Sequence, residues 1–129
     1  MTILLDTSVV IDALRRRRRR RELLRSLLDQ GHELACCAIN IVEVYSGMRP
    51  QEAEATTEFL DSLEYIPINT ASARHAGMLR AELQRMGQTL SLPDAIIGAV
   101  AMQEDVSLAT DNTRDFSGLK IKTLTMPGE

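Results

Sequence analysis

Tryptophan is absent from the 129 residues, and aromatic side chains make up only 3%. The core must therefore be aliphatic, drawn from Leu, Ile, Val, Ala and Met within an ordinary apolar fraction of 44%. Cysteine is scarce and badly placed for crosslinking. Cys36 and Cys37 are neighbours, cannot staple distant parts of a fold, and would pair only under strain. They read as reduced residues in a buried strand, since zinc ligands need wider spacing. That usage suits a reducing cytoplasm. No apolar run approaches the roughly 20 residues of a membrane span, so no membrane partner is expected. The apolar start lacks a basic stretch and is interrupted by Asp6, which argues against a signal peptide. Glycine-rich phosphate loops and Ser-centred nucleophile elbows are missing. His32 lies by a turn and His75 in a helical stretch, and no motif joins them for acid–base catalysis.

What is present is charge, unevenly spread. The net charge of -3 conceals seven consecutive arginines: Arg15, Arg16, Arg17, Arg18, Arg19, Arg20 and Arg21. Outside them eight basic residues face eighteen acidic ones, which leaves -10. A protein with a uniformly basic face for a polyanion would not look like this. One basic patch beside an acidic body implies two electrostatic tasks.

No repeat or linker interrupts the chain, and its length suits a single domain over 1–129. A domain of this size buries roughly two-thirds of its unfolded surface and folds without disulfide or structural metal. Residues 2–5 read as a short buried strand ending at Asp6. "SVVIDAL" begins a helix that Arg15 to Leu28 continue after a break or bend, and Gly31 closes it. Leu34 to Ala38 is a second strand. Asn40 to Gly47 is a short helix stopped by Gly47 and Pro50. Glu52 to Leu63 is helical, with Ala55, Phe59 and Leu63 on one face. Tyr65 to Ile68 is a strand. Thr70 to Met86 is a longer helix with Ala76, Leu79, Leu83 and Met86 as its apolar stripe and Gly87 as its stop. Pro93 opens "DAIIGAVAMQ", apolar nearly all round and so the central buried helix. Val106 to Thr110 and Ile121 to Leu124 are the last strands, separated by a polar turn. Alternating strands and helices predict an α/β sandwich with a mostly parallel sheet, and ligands of such sheets bind beyond the carboxyl ends of the strands.

The carboxylates fall at such places, and each has a plain structural reading beside a functional one. Asp6, where the first strand ends, could cap the helix that follows, as could Ser8. Glu43 stands three residues after Asn40, the spacing of a capping box with Asn40 as cap. Its neighbours Ile41, Val42, Val44 and Tyr45 would bury it in part, and a buried carboxylate needs a cation or donors. Asp94 could complement the dipole of the helix it starts, but Ser91 could cap that helix and free it. Asp111, Asn112 and Asp115 could be an ordinary Asx-rich turn. Together these acids could meet at one sheet edge, where they would repel and need a counter-charge. Hard oxygen ligands without His or Cys select Mg²⁺ or Mn²⁺ over zinc, and such a site performs metal-assisted phosphoryl chemistry.

"LLDTSVVIDAL" at 4–14, "INIVEVYSG" at 39–47, "LSLPDAIIGAVA" at 90–101 and "LATDNTRDF" at 108–116 resemble the four acidic motifs of the PIN-domain family, above all its VapC-type toxin ribonucleases. The resemblance spans nearly the whole chain with the motifs in order. It implies a three-layer α/β/α sandwich and dependence on Mg²⁺ or Mn²⁺. Asp6, Glu43 and Asp94 match the three main acidic positions, and Asp115 the fourth, within the pattern made by Thr110, Asn112, Asp115 and Phe116. Asn112 matches a polar position and Ser8 the hydroxyl position after the first Asp. Asp111 falls where the family varies and ranks below Asp115.

The activity so implied is hydrolysis of an RNA phosphodiester, with Asp6, Asp94, Asp115 and Glu43 holding metal. A cognate antitoxin and a homodimer are the expected partners. The arginine run is longer and purer than in that family. It is either a solvated face or loop, or a patch that contacts RNA phosphates and steers them toward the acidic site. Two other functions stand beside this one: a non-catalytic RNA-binding or regulatory domain of the same fold, and a metal-dependent phosphatase of another α/β fold. "LLDTSVV" lacks the second Asp, two residues after the first, that an aspartyl-phosphate mechanism would use.

Overall fold

Side chains of a strand alternate between the two faces of its sheet, and this chain fills both faces with aliphatic groups. The computed structural model describes residues 1–126. Five strands, β1 (Thr2–Leu5), β2 (Glu33–Cys37), β3 (Glu64–Ile66), β4 (Ser107–Thr110) and β5 (Thr123–Thr125), form one sheet in the order β3-β2-β1-β4-β5. Every pairing is parallel. Leu4 aligns with Ala35 on one side and Leu108 on the other. Ile3, Leu5, Leu34, Cys36 and Ala109 face one helical layer, and Leu4, Ala35, Cys37 and Leu108 face the other. The adjacent cysteines thus point to opposite faces, both buried and unpaired. Burial pushes the Cys36 thiol up to about 11 and raises Cys37 as well, so neither is a reactive thiolate.

The first layer holds α1 (Thr7–Leu14), α2 (Arg20–Asp29), α3 (Ala38–Gly47) and α4 (Ala53–Asp61). The second holds α5 (Thr70–Arg85) and α6 (Leu92–Glu104), with Phe116 and Leu119 from the following segment. This is the three-layer α/β/α sandwich expected from the sequence. The helix "LPDAIIGAVAMQE" is the buried one, with Ala95, Ile97, Ala99, Val100 and Ala101 almost fully covered. The chain moves outward from β1 through β2 to β3, then returns to place β4 on the other side of β1. The strand order reverses there, which opens a crevice at the carboxyl ends of β1 and β4.

Several local expectations are corrected. The second strand ends at Cys37, and Ala38 already opens α3. Asn40 is therefore the third residue inside the helix and not its cap, and Glu43 lies deeper still. Asn40 Oδ1 accepts from Cys37 N–H (2.8 Å). It closes the helix start from within. The buried face of α4 runs through Thr56 and Leu60, with Leu63 just beyond its end, while Ala55 is exposed, because leucine gains more from burial than alanine does. A 3-10 turn over Pro50–Glu52 precedes α4. Met86 lies at the end of α5, exposed, and Gly87 stops the helix with φ +77°.

The arginine run breaks the helix between α1 and α2, and it is neither a uniform solvated face nor a free loop. Arg20 is fully buried, its Nη2 2.5 Å from Asp111 Oδ1 just beyond β4. This ion pair ties the start of α2 to the end of a central strand. Removing one partner of a buried pair strands the other charge, at about 3–5 kcal/mol. Arg20→Ala should therefore lower stability by an amount in that range. Arg20→Met combined with Asp111→Leu should recover most of it, measured by denaturant unfolding. An Arg20→Ala variant as stable as the wild type would show that the pair does not anchor α2.

Candidate active site

Asp6 is the first residue after β1, and its backbone N–H still donates to Ala109 O of β4 (2.9 Å). The central sheet therefore fixes where this carboxylate starts. Its side chain is buried and uses both oxygens. Oδ1 accepts from Thr7 N–H (2.8 Å), so Asp6 is the N-cap of α1. Oδ2 accepts from the Thr110 hydroxyl (2.7 Å). Thr110 Oγ1 in turn accepts from the backbone N–H of Asn112 (2.9 Å). The cap reading of Asp6 holds, and its second oxygen is held by a side chain of the neighbouring strand.

Glu43, half-buried on α3, is held by a second chain of bonds. The Thr7 hydroxyl donates to Glu43 Oε1 (2.6 Å) and accepts from Asn40 Nδ2 (3.0 Å). Asn40 Nδ2 also donates to Leu5 O (3.2 Å). A fully buried amide thus joins the end of β1, the cap of α3 and the carboxylate it serves. Thr7 and Asn40 are the positioning residues that the sequence reading missed. Thr7 was visible as the hydroxyl directly after Asp6, a place the reading gave to Ser8.

Ser91 caps α6 by accepting from Asp94 N–H (3.2 Å), and the half-buried Asp94 carboxylate also bonds the Ser91 side chain. Asp115 lies on the 3-10 turn Thr113–Phe116, exposed, while Phe116 beside it is buried. Burial chiefly raises the Asp94 pKa above the ordinary 3.8, and the charges of Asp6, Asp115 and Glu43 raise it further, against the lowering effect of its bond to Ser91. Burial likewise raises Asp6, against the lowering effect of its bonds to Thr110 and Thr7, with Glu43 and Asp111 adding repulsion. The four acids singled out in the sequence therefore lie in one another's field.

The other expected site residues are placed differently. The Ser8 hydroxyl is buried without a hydrogen-bond partner, and the Asn112 side chain is exposed. Asp111 adjoins the group but is paired with Arg20 and lies 3.7 Å from Arg18. Of the arginines, Arg15 and Arg21 bond main-chain oxygens, Arg20 is buried, and Arg16, Arg17, Arg18 and Arg19 are exposed.

As the side chains stand, no three His, Cys, Asp or Glu among the described residues are arranged as a metal cage. The donor set nevertheless fits a hard divalent cation. It offers oxygen ligands only, two of them desolvated and mutually repelled into raised pKa values. The arginines in ion pairs go to Asp12, Asp111, Glu22 and Glu52 instead.

The model of the family described as PIN domain matches residues 3–122. The ribonuclease VapC10 of Mycobacterium tuberculosis (strain CDC 1551 / Oshkosh) is 32% identical over 114 residues, covering 88% of this chain and 85% of that protein. A solved toxin–antitoxin complex from Klebsiella pneumoniae contains a chain 31% identical, with TM-score 0.78 over 95% of this chain and 96% of that one. VapBC2 from Rickettsia felis, solved bound to a DNA fragment from its promoter, shares the fold at TM-score 0.83 and 22% identity, over 98% of this chain and 100% of that one.

The raised acids have a consequence for metal-free protein. The folded chain holds their protons more tightly than the unfolded chain does. Their stabilising contribution is complete below 3.8 and is lost as pH rises through the raised folded values. In chelator, thermal stability should fall as pH rises across that window, and Asp94→Asn should make the fall shallower. Added divalent metal should raise the wild-type midpoint above the window and raise the variant's less. Identical pH profiles of wild type and variant would show that Asp94 carries no such strain.

Proposed function

The chain belongs to the PIN domain family, and on that premise we propose that it is a metal-dependent endoribonuclease, the toxin of a toxin–antitoxin pair. One observation carries the reading: Thr7 bonds both Asp6 and Glu43 beside the crevice where the strand order reverses, and Asp94 lies in the field of Asp6, Asp115 and Glu43. The ribonuclease relative and the toxin–antitoxin complex support the same activity, with RNA as substrate and an antitoxin protein as partner. Dependence on a divalent metal is the general property of such nucleases. Mg²⁺ or Mn²⁺ is the choice that an all-oxygen donor set favours.

Asp6, Asp94 and Asp115 are the proposed metal ligands, with Glu43 binding directly or through a water. A divalent metal held there would supply water activation and charge neutralisation for phosphodiester hydrolysis. The chain's own residues prepare for this. Thr110 and Thr7 fix both oxygens of Asp6, each of which keeps a free lone pair. Asn40, through Thr7, sets the direction of Glu43. Burial of Asp6 keeps solvent from screening the group.

A non-catalytic RNA-binding domain is the second reading. It accounts poorly for four carboxylates in one place, since a binder gains nothing from repelling phosphate. No helix among the described residues is long and apolar enough to cross a membrane, and the two buried thiols fit a reducing cytoplasm. The exposed apolar residues Val42, Tyr65, Met78 and Leu92 are compatible with the homodimer that the family resemblance implies.

RNA cleavage should require Mg²⁺ or Mn²⁺ and stop in chelator. Asp6→Asn and Asp94→Asn should each reduce it by about a hundredfold or more, with the fold kept because Asn at position 6 still caps α1 and Ser91 caps α6. In cells, the wild-type chain alone should arrest growth and the Asp6→Asn variant should not. Co-expression with the product of the adjacent gene should restore growth, and the two should co-purify. A wild-type chain that is harmless at high expression and cleaves no RNA with Mn²⁺ would leave the binding-domain reading in its place.

A further inference from the structure

The seven arginines divide by what they touch. Arg15 Nη2 donates to Gly47 O (3.1 Å), and Arg21 Nε donates to Ala13 O (2.8 Å). Arg20 is buried against Asp111, and its Nη1 donates to Arg18 O (3.1 Å). Only Arg16 to Arg19 remain on the exposed connection between α1 and α2. Three of them, Arg16, Arg18 and Arg19, hold φ of 55°, 54° and 55°. Side chains other than glycine rarely adopt this region, and it persists where the surroundings over-determine it. Here the surroundings are main-chain bonds from Arg17 N to Asp12 O (2.7 Å) and from Arg20 N to Arg17 O (3.1 Å), together with the buried Arg20. The connection is a held loop, not a free one.

It stands over a cleft of about 470 Å³ lined by Ser8, Asp12, Arg17, Arg18, Asp111 and Asn112. The cleft adjoins the carboxylate group. Ser8 is two residues past Asp6, and Asn112 N–H bonds the same Thr110 hydroxyl that donates to Asp6. Within the cleft Asp111 is matched by Arg20. That leaves Arg17 and Arg18 against the single carboxylate of Asp12. Arg18 is half-exposed and pairs loosely, 4.0 Å from Asp12 and 3.7 Å from Asp111. Such screened pairs are weak, whereas a guanidinium binds phosphate through two parallel hydrogen bonds. Ser8 also lines the cleft, its own hydroxyl buried.

We propose that this cleft is a phosphate subsite. Arg17 and Arg18 bind a backbone phosphate of the RNA strand next to the one cleaved at the carboxylates, and Arg20 is the positioning residue that holds the loop over the cleft. The proposal rests on the RNA-cleaving reading above. It accounts for the basic run in a chain otherwise so acidic: four acids that must lie near a polyanion need a compensating cation alongside, not among them.

The test compares wild type with Arg17→Ser/Arg18→Asn, Asn being tolerated at positive φ. Further variants are Arg17→Lys/Arg18→Lys, Arg17→Ser alone and Arg16→Asn/Arg19→Asn. Binding of a single-stranded RNA is measured in chelator across a salt series, and cleavage with Mn²⁺ gives KM and kcat. Loss of one phosphate contact should reduce the slope of log K against log salt by about 0.7. KM should rise about tenfold with kcat within about twofold. The lysine pair should keep the slope, and the Arg16/Arg19 pair should keep both slope and KM. The single Arg17 variant, at an ordinary φ, reads the same contact if the double variant fails to fold. A wild-type slope and KM in Arg17→Ser/Arg18→Asn overturn the subsite while leaving the nuclease intact. Lost binding of the co-expressed partner protein with an unchanged RNA slope also overturns it, making the loop a protein-docking surface. Arginine-dependent RNA binding in a wild type that cleaves nothing supports the subsite and removes the catalytic reading instead.

Discussion

Carboxylates brought close together repel, and a fold that gathers four of them has to hold them there by other means. In this chain the means are hydrogen bonds from neutral groups and the burial of apolar neighbours. Asp6 is gripped by a backbone N–H and a threonine hydroxyl, Glu43 by a second threonine hydroxyl, and the start of the Asp94 helix by the Ser91 side chain. Each grip comes from an element whose place is already fixed by the sheet or by a helix start. Hydrogen bonds of this kind are worth about 1 kcal/mol each, so no single one overcomes the repulsion. The continuous scaffold beneath them does, because moving one acid away would require β1, α3 or α6 to leave a packed core.

The charge that balances this group is kept at a distance. Arg20 enters the interior and pairs with Asp111, at the rim. Asp111 adds to the repulsion on Asp6, so its pairing with Arg20 moderates that effect without filling the crevice. Arg16 to Arg19 stay outside, on a loop whose backbone is bent into an uncommon conformation by main-chain bonds to Asp12 and Arg17. The division leaves the centre open to a metal ion and the rim able to meet a polyanion.

The periodic signals in the sequence carried most of the architecture. The aliphatic runs at 2–5, 34–37 and 107–110 are strands because both sides of a parallel sheet are covered. The helix at 92–104 was legible as central because it is apolar all round. The acids were legible as a set because their motifs occur in order, and because three of them sit at element ends. What the sequence concealed was the identity of the supporting groups. Asn40 looked like a helix cap, since Asn three residues before Glu has that spacing, and only the early turn from β2 into α3 places it inside the helix. Thr7 was hidden by Ser8, its equally polar neighbour. The partition of the arginines was not legible at all, because a run of identical residues has no periodicity to read, and its break depends on where Asp111 stands in space.

The closeness of Asp115 to Asp94 has its own cause in a residue that bears no charge. Gly98 lies one helical turn after Asp94 on α6, on the same face. A Cβ at that position would meet Leu119 Cδ1 at 2.6 Å and approach Phe116 Cδ1 at 3.9 Å. The missing side chain lets the segment after β4 settle against α6, with Phe116 and Leu119 buried in the shared core. Asp115 precedes Phe116 and is carried along by it. A larger residue at 98 would have to displace Leu119, and the turn bearing Asp115 is anchored through the same cluster. The fourth acid is therefore placed by apolar packing, whereas Asp6 follows a strand end, Asp94 sits in the first turn of α6 and Glu43 lies within α3. This is why it stands exposed while Asp6 is buried. It is also why its field is felt at Asp94, on the helix it packs against, after that of Asp6 and ahead of that of Glu43.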